Sequence, residues 1–281
     1  MNRNKFYDIY LITIDNKDQF FFGINQGASE MGKMLGVNYY WMAPESKDTQ
    51  RQIDILNAAV ERGANAILIS VNDPIRMSPP IEDAKAKAVK IIYVDTPAYE
   101  EAIITLSTDN YSAGITAANE MLSQLGELGT VSGSLGIIGV NEVTDSTVKR
   151  ENGFRSRIAE DGRFTIPNTR YGNGDPVVSQ QIAQSFLADY PNMVGIFATN
   201  EGSTVGLGNA IKENNSKAIG IGFDSSDIIL KLLAGGNLKS IIVQNPFTMG
   251  YLGMAEAIAA LRGLETGPDV LNTGVSVLMK R

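Results

Sequence analysis

The chemistry this chain can do is concentrated where its apolar runs stop. The first run ends at Ile14, followed by Asp15-Asn16-Lys17-Asp18-Gln19 and then Phe20-Phe21-Phe22-Gly23. A polar loop leading into three aromatic rings suits a ligand with both C–H faces and hydroxyl groups, because rings stack on the former and polar groups take the latter. Later runs end in Ser70-Val71-Asn72-Asp73, in Asp95-Thr96-Pro97, in Asn141, in Thr199-Asn200-Glu201, in Asp224-Ser225 and in Gln244-Asn245-Pro246. A carboxylate accepts hydrogen bonds through two oxygens, and an amide both donates and accepts, so together they match a hydroxyl-rich partner. Arg150, within Thr144 to Phe154, adds a rigid fork of donors.

Each of these residues also has a plainer reading. Asp or Asn after a strand is commonly a helix N-cap. A Phe is commonly core or a hydrophobic staple, although three in a row cannot all face one core. Arg150 could form an ion pair on a helix surface. What favours a ligand is recurrence of such ends in both halves of the chain.

Composition narrows the function classes. The 281 residues hold no cysteine and no histidine, so thiolate chemistry, thiolate metal sites and the commonest general base are all missing. No Gly-x-Ser-x-Gly elbow, Walker loop or Gly-x-Gly-x-x-Gly follows the first strand, so an enzyme is not expected, nor a metal or a cofactor. With 24 basic against 31 acidic residues and no basic stripe, nucleic acid is not an expected partner. No apolar run is long enough to span a bilayer.

The elements that would position these ends alternate. Strands are expected at Tyr7–Ile14, Asn38–Met42, Ala66–Val71, Lys90–Val94, Leu135–Val140, Val194–Thr199, Ala218–Phe223 and Leu238–Val243. Most are continuously apolar, as strands buried on both faces of a parallel sheet are. Between them, amphipathic stretches predict helices: one capped by Ser46 or Asp48 and stopped at Gly63, then Asn110–Leu125, Thr144–Ile158, Pro176–Leu187 and Met249–Leu261. Gly126 to Gly136 reads as a loop. The alternation occurs twice, which predicts an α/β fold of two Rossmann-like lobes. Open α/β sheets bind ligands beyond the carboxyl ends of their strands, which is where the polar residues lie.

These residues carry a resemblance. Phe20-Phe21-Phe22-Gly23 with Gly27-Ala28, Arg62-Gly63 before Ala66-Ile67-Leu68-Ile69, Val94-Asp95, Thr108-Asp109-Asn110, Arg150 with Gly153-Phe154, Phe197 to Asn200, Gly222-Phe223-Asp224 and Gln244 before Pro246 resemble the type I periplasmic binding proteins for monosaccharides, in particular the ribose-binding proteins. The effector domains of LacI-type repressors share that fold. The resemblance runs from Ile9 to Lys280. It implies two lobes with parallel sheets and a three-segment hinge: residues 1–109 with 245–272, and residues 110–244 with 273–281. Hinge residues would be Asp109, Asn110, Gln244, Asn245 and Thr273. Ligand contacts would come from Asp18, Phe20, Phe21, Ser70, Asp95, Thr96, Arg150, Asn200, Asp224 and Gln244, with Phe20 and Phe21 stacking on a sugar ring.

The same resemblance implies a solute-binding component of an ABC-type sugar importer. It would be a monomer that closes over a small neutral ligand by hinge motion and docks on a membrane permease. That role is extracytoplasmic and requires an export signal, and Met1 to Lys5 shows none. Thr96, Ser70 and Asp18 depart from the ribose pattern of Arg, Asn and Asn. Gly174 stands where those proteins carry an aromatic, so stacking from that side would fall to Tyr171. The sugar therefore need not be ribose, and a pentitol, a furanosyl-borate signal or a nucleoside fits the same class. Trp41 reads as core, with reach to the ligand as the alternative. A LacI-type regulator would need a helix-turn-helix ahead of Ile9.

Overall fold

The structure is a computed structural model that describes residues 6–142 and 144–280. It begins with β1 (Asp8–Ile12), α1 (Gln19–Leu35), β2 (Asn38–Met42), α2 (Thr49–Glu61), β3 (Ala66–Ile69), α3 (Pro74–Ala86), β4 (Lys90–Val94) and β5 (Thr105–Ser107). It continues with α4 (Asn110–Glu127), β6 (Gly133–Gly139), α5 (Asp145–Asp161), β7 (Phe164–Thr165), β8 (Arg170–Tyr171), α6 (Pro176–Asp189), β9 (Met193–Ala198), α7 (Glu201–Glu213), β10 (Ile219–Phe223), α8 (Asp227–Ala234) and β11 (Ser240–Gln244). It finishes with α9 (Pro246–Leu261), β12 (Val270–Asn272) and β13 (Val275–Met279).

The chain divides into two compact units, Met1–Thr108 with Asn245–Thr273, and Asp109–Gln244 with Gly274–Arg281. Asp109 thus groups with the second unit and Thr273 with the first, each one residue from the boundary read in sequence. The first unit holds a six-stranded sheet in the order β12-β5-β4-β3-β1-β2. The second holds β13-β11-β10-β9-β6-β7, with β8 also on β6. The described pairings are parallel, as an α/β fold with parallel sheets requires, except that β13 runs antiparallel to β11 at the edge of the second sheet.

Continuous apolar strands arise because both faces are covered. In the first unit Ile9, Leu11, Leu68, Ile92 and Val94 pack under α1 and α9, while Tyr10, Ile12, Ile67, Ile69 and Ile91 pack under α2 and α3. In the second, Leu135, Ile137, Ile219 and Ile221 meet α4 and α5, and Ile138, Ile196 and Ile241 meet α6, α7 and α8. The Gly126–Gly136 stretch is only partly a loop. Helix α4 runs on to Glu127 and β6 starts at Gly133, whose φ of 153° and tight seat against Val194 suit glycine alone.

Candidate functional site

The polar strand ends assemble separately in each unit. In the first, the loop after β1 folds on Asp15, whose Oδ1 accepts from the amides of Lys17 and Asp18 at 2.9 Å. This hands the chain to α1, where Asp18 accepts from the Phe20 amide at 2.9 Å. Asp18 is therefore the N-cap, as its plainer reading anticipated. The three rings then diverge. Phe21 is 4% exposed within the core, Phe20 is half-buried and meets Phe21 edge-on at 5.5 Å, and Phe22 is exposed and meets Trp41 edge-on at 5.1 Å. Phe20 thus keeps more open ring surface than Phe21. Trp41 is half-buried and its indole N–H donates to Thr13 Oγ1 at 2.9 Å.

Beyond β4, Asp95 adopts a left-handed φ of 76°. Asp is among the few side chains that tolerate this region, which aims it away from the strand direction. Its Oδ2 accepts from Thr96 Oγ1 at 2.8 Å, and the hydroxyl of the fully buried Ser70 lies 3.5 Å from the same oxygen. Ser70, Asp95 and Thr96 are thus one group, while Asp18 and Phe20 belong to the neighbouring loop.

In the second unit Arg150 is 4% exposed, so it is not a helix-surface ion-pair residue. Its Nε donates to Asn110 Oδ1 and one terminal nitrogen donates to the Thr199 carbonyl, each at 2.9 Å. Its guanidinium carbon stands 3.6 Å over the centre of the Phe223 ring. Helices α4 and α5 approach closely enough for this only through glycine. A Cβ at Gly114 would meet the Arg150 carbonyl oxygen at 2.0 Å, and one at Gly153 would meet the Tyr111 carbonyl oxygen at 2.0 Å. Sequence reasoning placed Asn110 at the hinge and missed its bond to Arg150.

Asp224, with φ 69°, follows β10 and accepts from Gln244 Nε2 at 2.7 Å. Burial raises its carboxyl pKa above the ordinary value, and the Arg150 charge and the Gln244 amide oppose that without cancelling it. Asn200 is the N-cap of α7, accepting from the Ser203 amide at 3.2 Å. Gly174 has φ 72°, and the Asn200 side-chain nitrogen lies 3.1 Å from where its Cβ would be, so both backbone and space favour glycine there. Tyr171 is half-buried, with its ring against Gly139 and its hydroxyl 3.5 Å from Glu151.

The residues expected at the crossovers are also ordered. Asp109 caps α4, accepting from the Ser112 amide and hydroxyl at 3.0 and 2.7 Å, and the amide bond leads the causes that lower its pKa. In the first unit Asn245 Nδ2 donates to the Thr273 carbonyl at 2.7 Å, and the Thr273 amide donates to the Ser107 carbonyl at 2.9 Å. The ends of three chain segments are thereby pinned in one place.

Two parallel α/β units with polar residues at their strand ends, connected by three chain crossings, define the class of a solute-binding protein. Residues 9–265 match the family model described as periplasmic binding protein domain, and the chain belongs to that family. It is 25% identical over 252 residues to a ribose import binding protein of Haemophilus influenzae, covering 89% of this chain and 84% of that one. Among solved structures, it is similar to a carbohydrate transporter solute-binding protein of Agrobacterium radiobacter in complex with D-arabinose. The TM-score is 0.89 at 29% identity, covering 99% of this chain and 96% of that one. It is also similar to AraP, an arabinose-binding protein of Geobacillus stearothermophilus, with a TM-score of 0.90 at 25% identity, covering 98% and 97%. These relatives are binding proteins and not enzymes. Among the described residues, no helix is long and apolar enough to cross a membrane.

Proposed function

We propose that this protein is the solute-binding component of an ABC-type sugar importer and that its ligand is a neutral monosaccharide. One observation carries the reading. Each unit sets a left-handed Asp at a strand end with uncharged donors beside it, Ser70 and Thr96 at Asp95 and Gln244 at Asp224, where the Arg150 charge also acts. Such groups take hydroxyls. Phe20 and the fork of Arg150 supply a stacking face and further donors. The sugars of the relatives, ribose and D-arabinose among them, support the same class.

In this proposal Asp18, Phe20, Phe21, Ser70, Asp95 and Thr96 act from the first unit, and Arg150, Asn200, Asp224 and Gln244 from the second. The lobes follow the division at residues 108/109, 244/245 and 273/274. The crossings around Asp109, Asn110, Gln244, Asn245 and Thr273 act as the hinge, and ligand shifts the population toward the closed form. The protein works as an extracytoplasmic monomer that delivers sugar to a membrane permease, without nucleic acid.

A thermal-shift panel of pentoses, hexoses, polyols and nucleosides tests this. One class of sugar should raise the melting temperature. A panel in which nucleosides alone stabilise the protein would replace the sugar assignment.

A further inference from the structure

We infer that Gln52, a residue outside the ligand contacts proposed above, is the positioning residue that fixes the ligand-facing edge of the first unit. Gln52 sits one turn into α2 and is fully buried. It shares the apolar face of that helix with Ile55, Leu56 and Ala59, where a glutamine is out of place unless its amide is satisfied. Its Nε2 donates to the Thr13 carbonyl at 3.2 Å and to the Ser70 carbonyl at 2.8 Å. Its Oε1 accepts from the Asn72 amide at 3.0 Å. One side chain therefore clamps the segments that follow β1 and β3.

Both segments lead to proposed ligand groups. Ser70 reaches Asp95 through its hydroxyl. Thr13 donates from its hydroxyl to the Asp15 carbonyl, and the Asp15 carboxylate holds the amides of Lys17 and Asp18, where α1 and Phe20 begin. Thr13 also receives the indole N–H of Trp41, the single tryptophan of the chain. The clamp is closed on its outer side by Asn72, whose side-chain Nδ2 donates to Thr49 Oγ1 at 2.7 Å. Three backbone groups joined through one amide set the spacing between the Asp18–Phe20 loop and Asp95. Such support within a buried polar network fixes contacts it does not itself make.

The inference rests on the sugar-binding reading, and the experiment separates the two. The wild-type protein, Gln52→Met and Ile55→Val are titrated with the sugar that stabilises the wild type, and melting temperature and Trp41 emission are recorded for each. Ile55 lies on the same helix but makes none of these bonds. Expected for Gln52→Met is a rise in dissociation constant of about tenfold or more, as for the loss of a buried polar contact, with a shifted Trp41 emission. Expected for Ile55→Val is a lower melting temperature with unchanged affinity and emission. A folded Gln52→Met that binds like wild type overturns the inference, as does an Ile55→Val that loses affinity equally. A wild type that binds no sugar overturns the functional reading instead. Hydrogen exchange on the sugar-free wild type needs no variant: the Asn72 amide should be strongly protected, and exchange at the rate of an open loop would also overturn the clamp.

Discussion

Asp95 and Asp224 occupy the same position in the two units. Asp95 follows β4, has φ 76° and donates its amide to the Leu106 carbonyl on the neighbouring strand at 2.8 Å. Asp224 follows β10, has φ 69° and donates its amide to the Ile242 carbonyl at 2.8 Å. The correspondence extends to Ser70 and Thr199, whose amides donate to the Ile12 and Ile138 carbonyls at 3.0 and 3.1 Å. Backbone geometry thus repeats where the side chains differ, with hydroxyls around Asp95 and an amide and a guanidinium near Asp224.

Asp224→Asn should separate stability from binding. Burial disfavours the Asp224 charge, Asn tolerates the left-handed backbone, and its oxygen can still accept from Gln244. The ligand-free variant should melt at or above the wild-type temperature, while sugar affinity falls by about tenfold, the worth of a charge-assisted bond. A lower melting temperature would show that the Arg150 field outweighs burial.

The same carboxyl sets a pH dependence. Because its folded pKa is raised, the folded state holds more protons than the unfolded chain between the ordinary carboxylate value and the raised one. Its contribution to stability therefore falls as pH rises through that window. Sugar affinity should move the opposite way and strengthen as Asp224 ionises. Asp224→Asn should lose that dependence, and calorimetric titrations across the acid range would show it.

Arg150→Lys tests the guanidinium. An ammonium cannot bond Asn110 and the Thr199 carbonyl while lying flat on Phe223. The variant should lose about 1–3 kcal/mol of stability by denaturant unfolding and bind sugar more weakly. Unchanged unfolding would refute this account of how the side chain is held.

Two glycines on α4 predict opposite outcomes. At Gly114 a methyl group would collide with the Arg150 carbonyl, so Gly114→Ala should destabilise by about 1–3 kcal/mol. At Gly126 nothing lies within 4 Å, so Gly126→Ala should stabilise by about 0.5–1 kcal/mol through helix propensity. Melting curves of the pair would decide it.

The parts of the fold legible in sequence are those written in local periodicity. Apolar runs such as Ala66–Ile69 announce strands buried on both faces, and Asp48 and Gly63 bracket α2. Helix α3 is harder to see because Pro79 and Pro80 lie inside it, and β13 because its antiparallel pairing is a long-range choice. The strand-end Asp residues were visible as types, but their left-handed backbone was not. Nor was the burial of Arg150, which depends on Phe223, far away in sequence, and on the glycine contact of two helices. Gln52 did leave a trace, as a polar residue on the apolar face of α2.

The proposed sugar-binding function depends on Asp95 in the first unit and on Asp224 in the second. Calorimetric titration of the wild type, Asp95→Ala and Asp224→Ala with the stabilising sugar tests it most directly. The account predicts a single saturable site in the wild type, and its loss in both variants while each still melts cooperatively. Full-strength binding by either variant, or heat no different from dilution when the wild type meets neutral sugars, would contradict it.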